Sequence, residues 1–79
     1  MFPLSISALD KTIFEDRARS LTLPGAEGEL TILENHIPLI TSLAKGRLFI
    51  KTEKKELNFS IQGGVLQVSP EKVIVLVNL

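Results

Sequence analysis

The sequence has no cysteine, no tryptophan, no tyrosine and a single histidine. Without cysteine there is no disulfide framework and no thiolate metal site, a usage compatible with a reducing compartment. Without tryptophan or tyrosine, a nucleobase finds little to stack on, because the aromatics are four phenylalanines. An excess of charge of either sign is also missing. Nine lysines and arginines balance nine aspartates and glutamates, whereas a domain that lives on phosphate contacts carries a basic surplus. No apolar run reaches the roughly 20 residues needed to cross a bilayer. Met1-Phe2-Pro3-Leu4 lacks the charged start and long apolar stretch of a signal peptide. The expected compartment is the cytoplasm, with any membrane role exercised through a partner.

What is present is a period of two. Seventy-nine residues are too few for a second core, so residues 1–79 are expected to form a single domain of modest stability. Phe2, Leu4, Ile6 and Ala8 alternate with Pro3, Ser5 and Ser7, the pattern of a half-buried strand. From Thr12 to Leu23 the apolar parity changes: Phe14 and Ala18 point one way, Leu21 and Leu23 the other. A one-residue slip moves every side chain to the opposite face, so a bulge or sharp bend is expected near Arg17–Ser20, where one strand can pass between two sheets. Leu48 and Ile50 alternate with Arg47 and Lys51, leaving Phe49 outward, and Glu53-Lys54-Lys55 reads as a solvated hairpin tip. Leu57, Phe59 and Ile61 alternate cleanly. Gly63-Gly64 marks a bulge or a close backbone approach. Val73–Val77 contains no polar residue and is either buried on both faces or part of a partner surface. No 3.6-residue stripe persists anywhere. The expected fold is therefore all-β, an antiparallel sandwich or small barrel of about eight to ten short strands. Its expected core is Leu4, Ile6, Phe14, Leu57, Phe59, Ile61, Leu66, Val68, Val73 and Val75.

The chemistry-bearing residues concentrate in Leu23–Thr41, LPGAEGELTILENHIPLIT. Pro24-Gly25 suits the centre of a type II turn, and Glu34-Asn35 suits a second reversal, because asparagine tolerates a left-handed backbone. Candidate site residues are Glu27, Glu29, Glu34, Asn35 and His36, all on the loops or strand ends of this segment. None of them composes an active site. One histidine and no cysteine are too few for a zinc centre. Ser42, His36 and Asp16 lack a nucleophile elbow around the serine. Gly25-Ala26-Glu27-Gly28 has no following Lys-Ser/Thr and carries a carboxylate that repels phosphate. No cofactor is implied. The rival from another class is a small barrel that binds single-stranded nucleic acid, with Phe49 between Arg47 and Lys51 as its one stacking platform.

The same segment resembles the signature of the F-type ATP synthase epsilon subunit, called delta in mitochondria, in which LPG-x-x-GE is followed by IL-x-x-H-x-PL-T. The similarity continues through Lys45-Gly46-Arg47-Leu48, Gln62–Ser69 and Lys72–Leu76, in family order over nearly the whole chain. The resemblance selects the two-sheet sandwich. It implies a non-catalytic rotor part of the central stalk that couples rotation of the membrane c-ring to the gamma subunit. The implied partners are gamma and the c-ring, with no nucleic acid, membrane contact only through the c-ring, and a monomeric isolated chain. The implied location is the cytoplasmic face of a bacterial inner membrane. The family's loop glutamate falls on Glu29 and its histidine on His36, which places both at the end facing gamma and the ring, on one end of the sandwich and exposed until a partner covers them; the competing reading makes His36 a structural residue with its ring bonded to a nearby backbone carbonyl.

Two departures stand out. Glu34-Asn35 replaces the family's usual Pro-Gly before the histidine, keeping the turn and adding a charge, and Thr31 stands where glycine is common. Family members also continue into a two-helix C-terminal domain that restrains ATP hydrolysis and in some bacteria binds ATP. Neither property is carried over to these 79 residues.

Overall fold

A computed structural model describes residues 1–79, and they form nine strands and no helix. The strands are β1 (Phe2–Ala8), β2 (Lys11–Ala18), β3 (Ser20–Gly25), β4 (Gly28–Leu33), β5 (Leu39–Leu43), β6 (Gly46–Lys51), β7 (Glu56–Ile61), β8 (Gly63–Val68) and β9 (Val73–Asn78). They make one hydrogen-bonded sheet that curls back on itself. The five-stranded half runs β2-β1-β9-β8-β5. The four-stranded half runs β4-β3-β6-β7. Where β5 meets β3, the ladder is a single pair, Gly25 with Leu43. The expected sandwich is therefore present, with one difference from an all-antiparallel arrangement: β1 and β9 are parallel. The first and last strands lie side by side in the same direction, a long-range pairing that no local pattern in either strand could announce.

Two long strands turn the corner between the halves. The first is Lys11–Gly25, which breaks at Arg19 within the stretch where the parity change demanded a bend. Ala18 and Leu21 are both fully buried although three apart, and the Arg19 N–H leaves its own ladder to bond the Lys51 carbonyl at 2.7 Å. The second corner is at Gln62, between β7 and β8. Its N–H bonds the Asn78 carbonyl at 2.6 Å, and Gly64 follows with a φ of 156°. A Cβ on Gly64 would sit 2.1 Å from the Leu76 carbonyl oxygen, so Gly64 is there for close backbone approach.

The core is one cluster of seventeen apolar side chains drawn from both halves. In the five-stranded half the inward row Ile6, Val75 and Leu66 follows the ladder register. In the four-stranded half the equivalent row is Ile32, Leu21, Ile50. Seven of the ten expected core residues are buried. Phe14, Leu57 and Phe59 are half-buried and lie against the cluster. The reason is position rather than parity. They belong to β2 and β7, the two outermost strands of the sheet path, where the sandwich has no neighbour to close over a large ring. The most buried residues the sequence reading left out, Leu21, Leu23, Leu48 and Ile50, sit in the middle of the four-stranded half.

Candidate functional site

The Leu23–Thr41 segment folds differently from its turn signals. Pro24-Gly25 is no turn: both residues are the end of β3, and the two-residue loop is Ala26-Glu27, with Gly25 opposite Gly28. Tertiary hydrogen bonds override the local preference. The Ala44 N–H bonds the Pro24 carbonyl at 2.7 Å, and the Ala26 N–H bonds the Ser42 carbonyl at 3.0 Å, so the chain stays extended through Gly25 to reach β5. The positive φ falls instead on Gly28, at 140°. The second reversal is where the sequence put it. Glu34-Asn35 is a turn, and Asn35 is left-handed at φ 68°.

These two turns stand at opposite ends of β4, and so do the candidate residues. Glu27 and Glu29 are at the end where β3 meets β5, on the rim of an open cleft that also includes Leu30, Leu39 and Thr41. Glu34, Asn35 and His36 are at the other end, where Ser20 lies opposite Leu33. The expected meeting of Glu29 and His36 on one end does not occur. Six extended residues of β4, roughly 20 Å at about 3.3 Å each, separate the two turns, and the His36 ring lies against Phe2 before the chain returns along β5. Glu27, Glu29, Glu34 and Asn35 are exposed. His36 is half-buried.

The far end is a small network. The Met1 ammonium donates to Glu34 Oε1 at 2.9 Å, and Arg17 Nη2 donates to the Met1 carbonyl at 3.3 Å. The ammonium, by hydrogen bond and then by charge, holds the Glu34 carboxyl below its usual range, with Arg17 adding to the effect. The His36 ring meets the Phe2 ring edge-on, with centroids 5.6 Å apart and planes at 80°. Its Nδ1 is buried without a hydrogen-bond partner. No three His, Asp or Glu side chains gather in a way that could hold a metal ion.

A further surface feature lies elsewhere, on the outside of the five-stranded half. The register aligns two rows of four outward side chains: Ile40, Gln67, Ile74 and Ser5, then Ser42, Val65, Leu76 and Ser7. None of the eight is charged. Leu76 is 54% exposed and Ile40 72%, so this face is apolar where it is most open. Of Val73–Val77, the odd residues enter the core, Ile74 is half-buried and Leu76 faces out. Sequence reading singled out this strand and missed Ile40 and Val65 on its neighbours. The signal was available: no outward position of β5, β8 or β9 carries a charge in a chain that is 23% charged. On the opposite side, Phe49 is 44% exposed but its neighbouring cations are engaged. Arg47 is hydrogen-bonded to Asn58 Oδ1 and Lys51 lies 3.7 Å from Glu56. One ring with occupied cations makes no track for a polyanionic strand.

The ATP synthase delta/epsilon chain β-sandwich domain matches residues 1–79. The chain belongs to this family. Named relatives are similar along nearly its whole length. The ATP synthase epsilon chain of Pelotomaculum thermopropionicum is 41% identical over 75 residues, covering 95% of this chain and 56% of the relative. That of Lawsonia intracellularis is 42% identical over 73 residues, covering 92% and 55%, and the plastid epsilon chain of Prototheca wickerhamii is 39% identical over 69 residues, covering 87% and 52%. The chain thus spans about half the length of the curated relatives it matches. Among solved structures, a chain of the Euglena gracilis mitochondrial ATP synthase, in a cryo-EM structure of OSCP, F1 and c-ring, superposes with a TM-score of 0.89 at 25% identity, over 96% of this chain and 49% of that one. A chain from the central stalk and c-ring of the Tetrahymena thermophila mitochondrial enzyme shares the fold, with a TM-score of 0.85 at 16% identity over 99% and 63%. In this epsilon-type domain, then, the uncharged face and the two ends of β4 are distinct exposed features.

Proposed function

We propose that this epsilon-type domain is a non-catalytic part of the central stalk of an F-type, proton-translocating ATP synthase. It binds the gamma subunit through the uncharged face of Ile40, Val65, Ile74 and Leu76, and it rests on the c-ring with the Glu27–Glu29 end. Turning of the ring is passed to gamma through a stiff two-sheet body. The observation that carries this reading is the family match over residues 1–79, and the uncharged face gives it a site. Charge depletion at the centre of a patch with a polar rim is the compositional mark of a protein interface. Glu27 and Glu29 are exposed at the hairpin end, where a carboxylate pair can meet basic loop residues. Such rim pairs act on association rate and register more than on affinity. The mechanism asks for stiffness and two interfaces, and no proton or phosphoryl group passes through the domain itself. Its location follows from the assembly: peripheral, at the cytoplasmic face of a bacterial inner membrane, with the c-ring as its membrane contact. The isolated chain is monomeric.

The test is co-purification of the chain with a cognate gamma subunit. Binding that is retained by the parent chain and lost in Ile40→Asp supports the reading. A parent chain that fails to bind gamma overturns it and leaves the fold alone standing.

A further inference from the structure

We propose that His36 and Glu34 are positioning residues for the docking face rather than contacts on it, and that the N-terminal end of β1 holds that face in its binding conformation. The inference rests on the gamma-docking reading above. The crossover from β4 to β5 has a turn at Glu34-Asn35, and His36-Ile37-Pro38 then belongs to no strand. It contributes nothing to the ladders, and it lies among exposed apolar side chains. Of nine large apolar side chains that are exposed, Leu33, Ile37, Leu39 and Ile40 fall within residues 33–40, and Ile37 is 81% exposed. A segment with few backbone bonds and little burial opens easily, and ordering it at the moment of binding weakens affinity.

Two contacts hold it in advance, both from the first two residues of the chain. The Met1 ammonium reaches Glu34 at 2.9 Å, and the Phe2 ring meets the His36 ring edge-on. Phe2 is buried and paired opposite Ala18 in the β1–β2 ladder, so the crossover is pinned to a rigid element. His36 turns Nδ1 into the protein, where it finds no partner.

The experiment measures association with purified cognate gamma, amide exchange over residues 34–38 and thermal stability for the parent chain, His36→Ala, His36→Phe, Glu34→Gln and Ile40→Asp. Ile40→Asp abolishing most of the binding keeps the docking reading in place. His36→Ala should then speed exchange over 34–38 and weaken association roughly two- to tenfold, the cost of ordering one or two side chains on binding. His36→Phe keeps the ring edge against Phe2 and should restore both exchange and affinity. Glu34→Gln should act in the same direction as His36→Ala and less strongly. A His36→Phe chain as weak as His36→Ala, with exchange unchanged, makes His36 a polar contact to gamma and overturns the proposal. So does full affinity in His36→Ala. If His36→Ala does not fold, the His36→Phe comparison with the parent carries the same decision. If Ile40→Asp binds like the parent, the docking reading itself falls, and the proposal with it.

Discussion

On the outside of β1, β9, β8 and β5 in the five-stranded half, the outward positions read Ser5, Ile74, Gln67, Ile40 and Ser7, Leu76, Val65, Ser42. On the outside of the four-stranded half they read Thr31, Thr22, Phe49, Asn58 and Leu33, Ser20, Lys51, Glu56. Strand geometry, inward parity and burial beneath are the same in both. The four-stranded face mixes an ion pair, a Thr22–Thr31 hydroxyl contact at 3.2 Å and the Arg47–Asn58 hydrogen bond around one aromatic. It satisfies its own polar groups and asks nothing of a neighbour. Across β1, β9, β8 and β5 the five-stranded face has neither charge nor side-chain hydrogen bonds, and it leaves branched apolar groups in solvent; charge returns only on its edge strand β2, with Glu15 beside Ser5. The difference teaches that folding does not need the apolar outer face, since the other half folds without one. On the proposed reading, that face serves association.

The comparison can be broken from inside outward. Beneath the two faces the halves should be equivalent. Leu66→Ala under the uncharged face and Leu48→Ala under the charged one should each cost about 2–5 kcal/mol, a large share of the stability of so small a domain, read by denaturant unfolding. A cost confined to one half would mean that the core is not one cooperative unit. Outside, the faces should separate. Ile40→Asp should weaken gamma association by at least about tenfold, or 1.4 kcal/mol, with stability changed by no more than about 0.5 kcal/mol. Phe49→Asp should leave association untouched, and neither variant nor parent should retain an oligonucleotide at physiological salt. Equal losses from Ile40→Asp and Phe49→Asp would erase the distinction between faces.

Two smaller effects sharpen the contrast between the ends of β4. Glu29→Gln should slow association with an isolated c-ring and flatten its salt dependence, with little change in dissociation, because exposed rim charges steer encounter. At the other end, Glu34 has its folded-state pKa lowered by the Met1 ammonium. Its stabilising contribution is therefore present above the ordinary glutamate value and is lost as pH falls through the lowered one. The melting-temperature difference between the parent and Glu34→Gln should be small and positive at neutral pH and close as the medium is acidified below the ordinary glutamate range. A difference that persists there removes the ammonium pair as its cause.

What the sequence determined by itself was local and periodic. Alternation placed Leu4, Ile6, Leu66, Val68, Val73 and Val75 inside, because a strand has only two faces and one of them must leave water. The parity change between Ala18 and Leu21 placed a bend near Arg17–Ser20, and it falls at Arg19. The signature residues from Leu23 to Thr41 identified the family. Tertiary structure decided the rest. The turn moved from Pro24-Gly25 to Ala26-Glu27, since β5 holds Pro24 and Ala26 in its hydrogen bonds. Phe14, Leu57 and Phe59 remained half-exposed because they fell on outermost strands. Glu29 and His36 parted to opposite ends of β4, and Ile40, Val65 and Leu76, far apart in the chain, became one face. Each of these turns on which strand lies beside which. That is fixed by the burial of the whole core and by backbone bonds between residues tens of positions apart, and no window of sequence contains both partners.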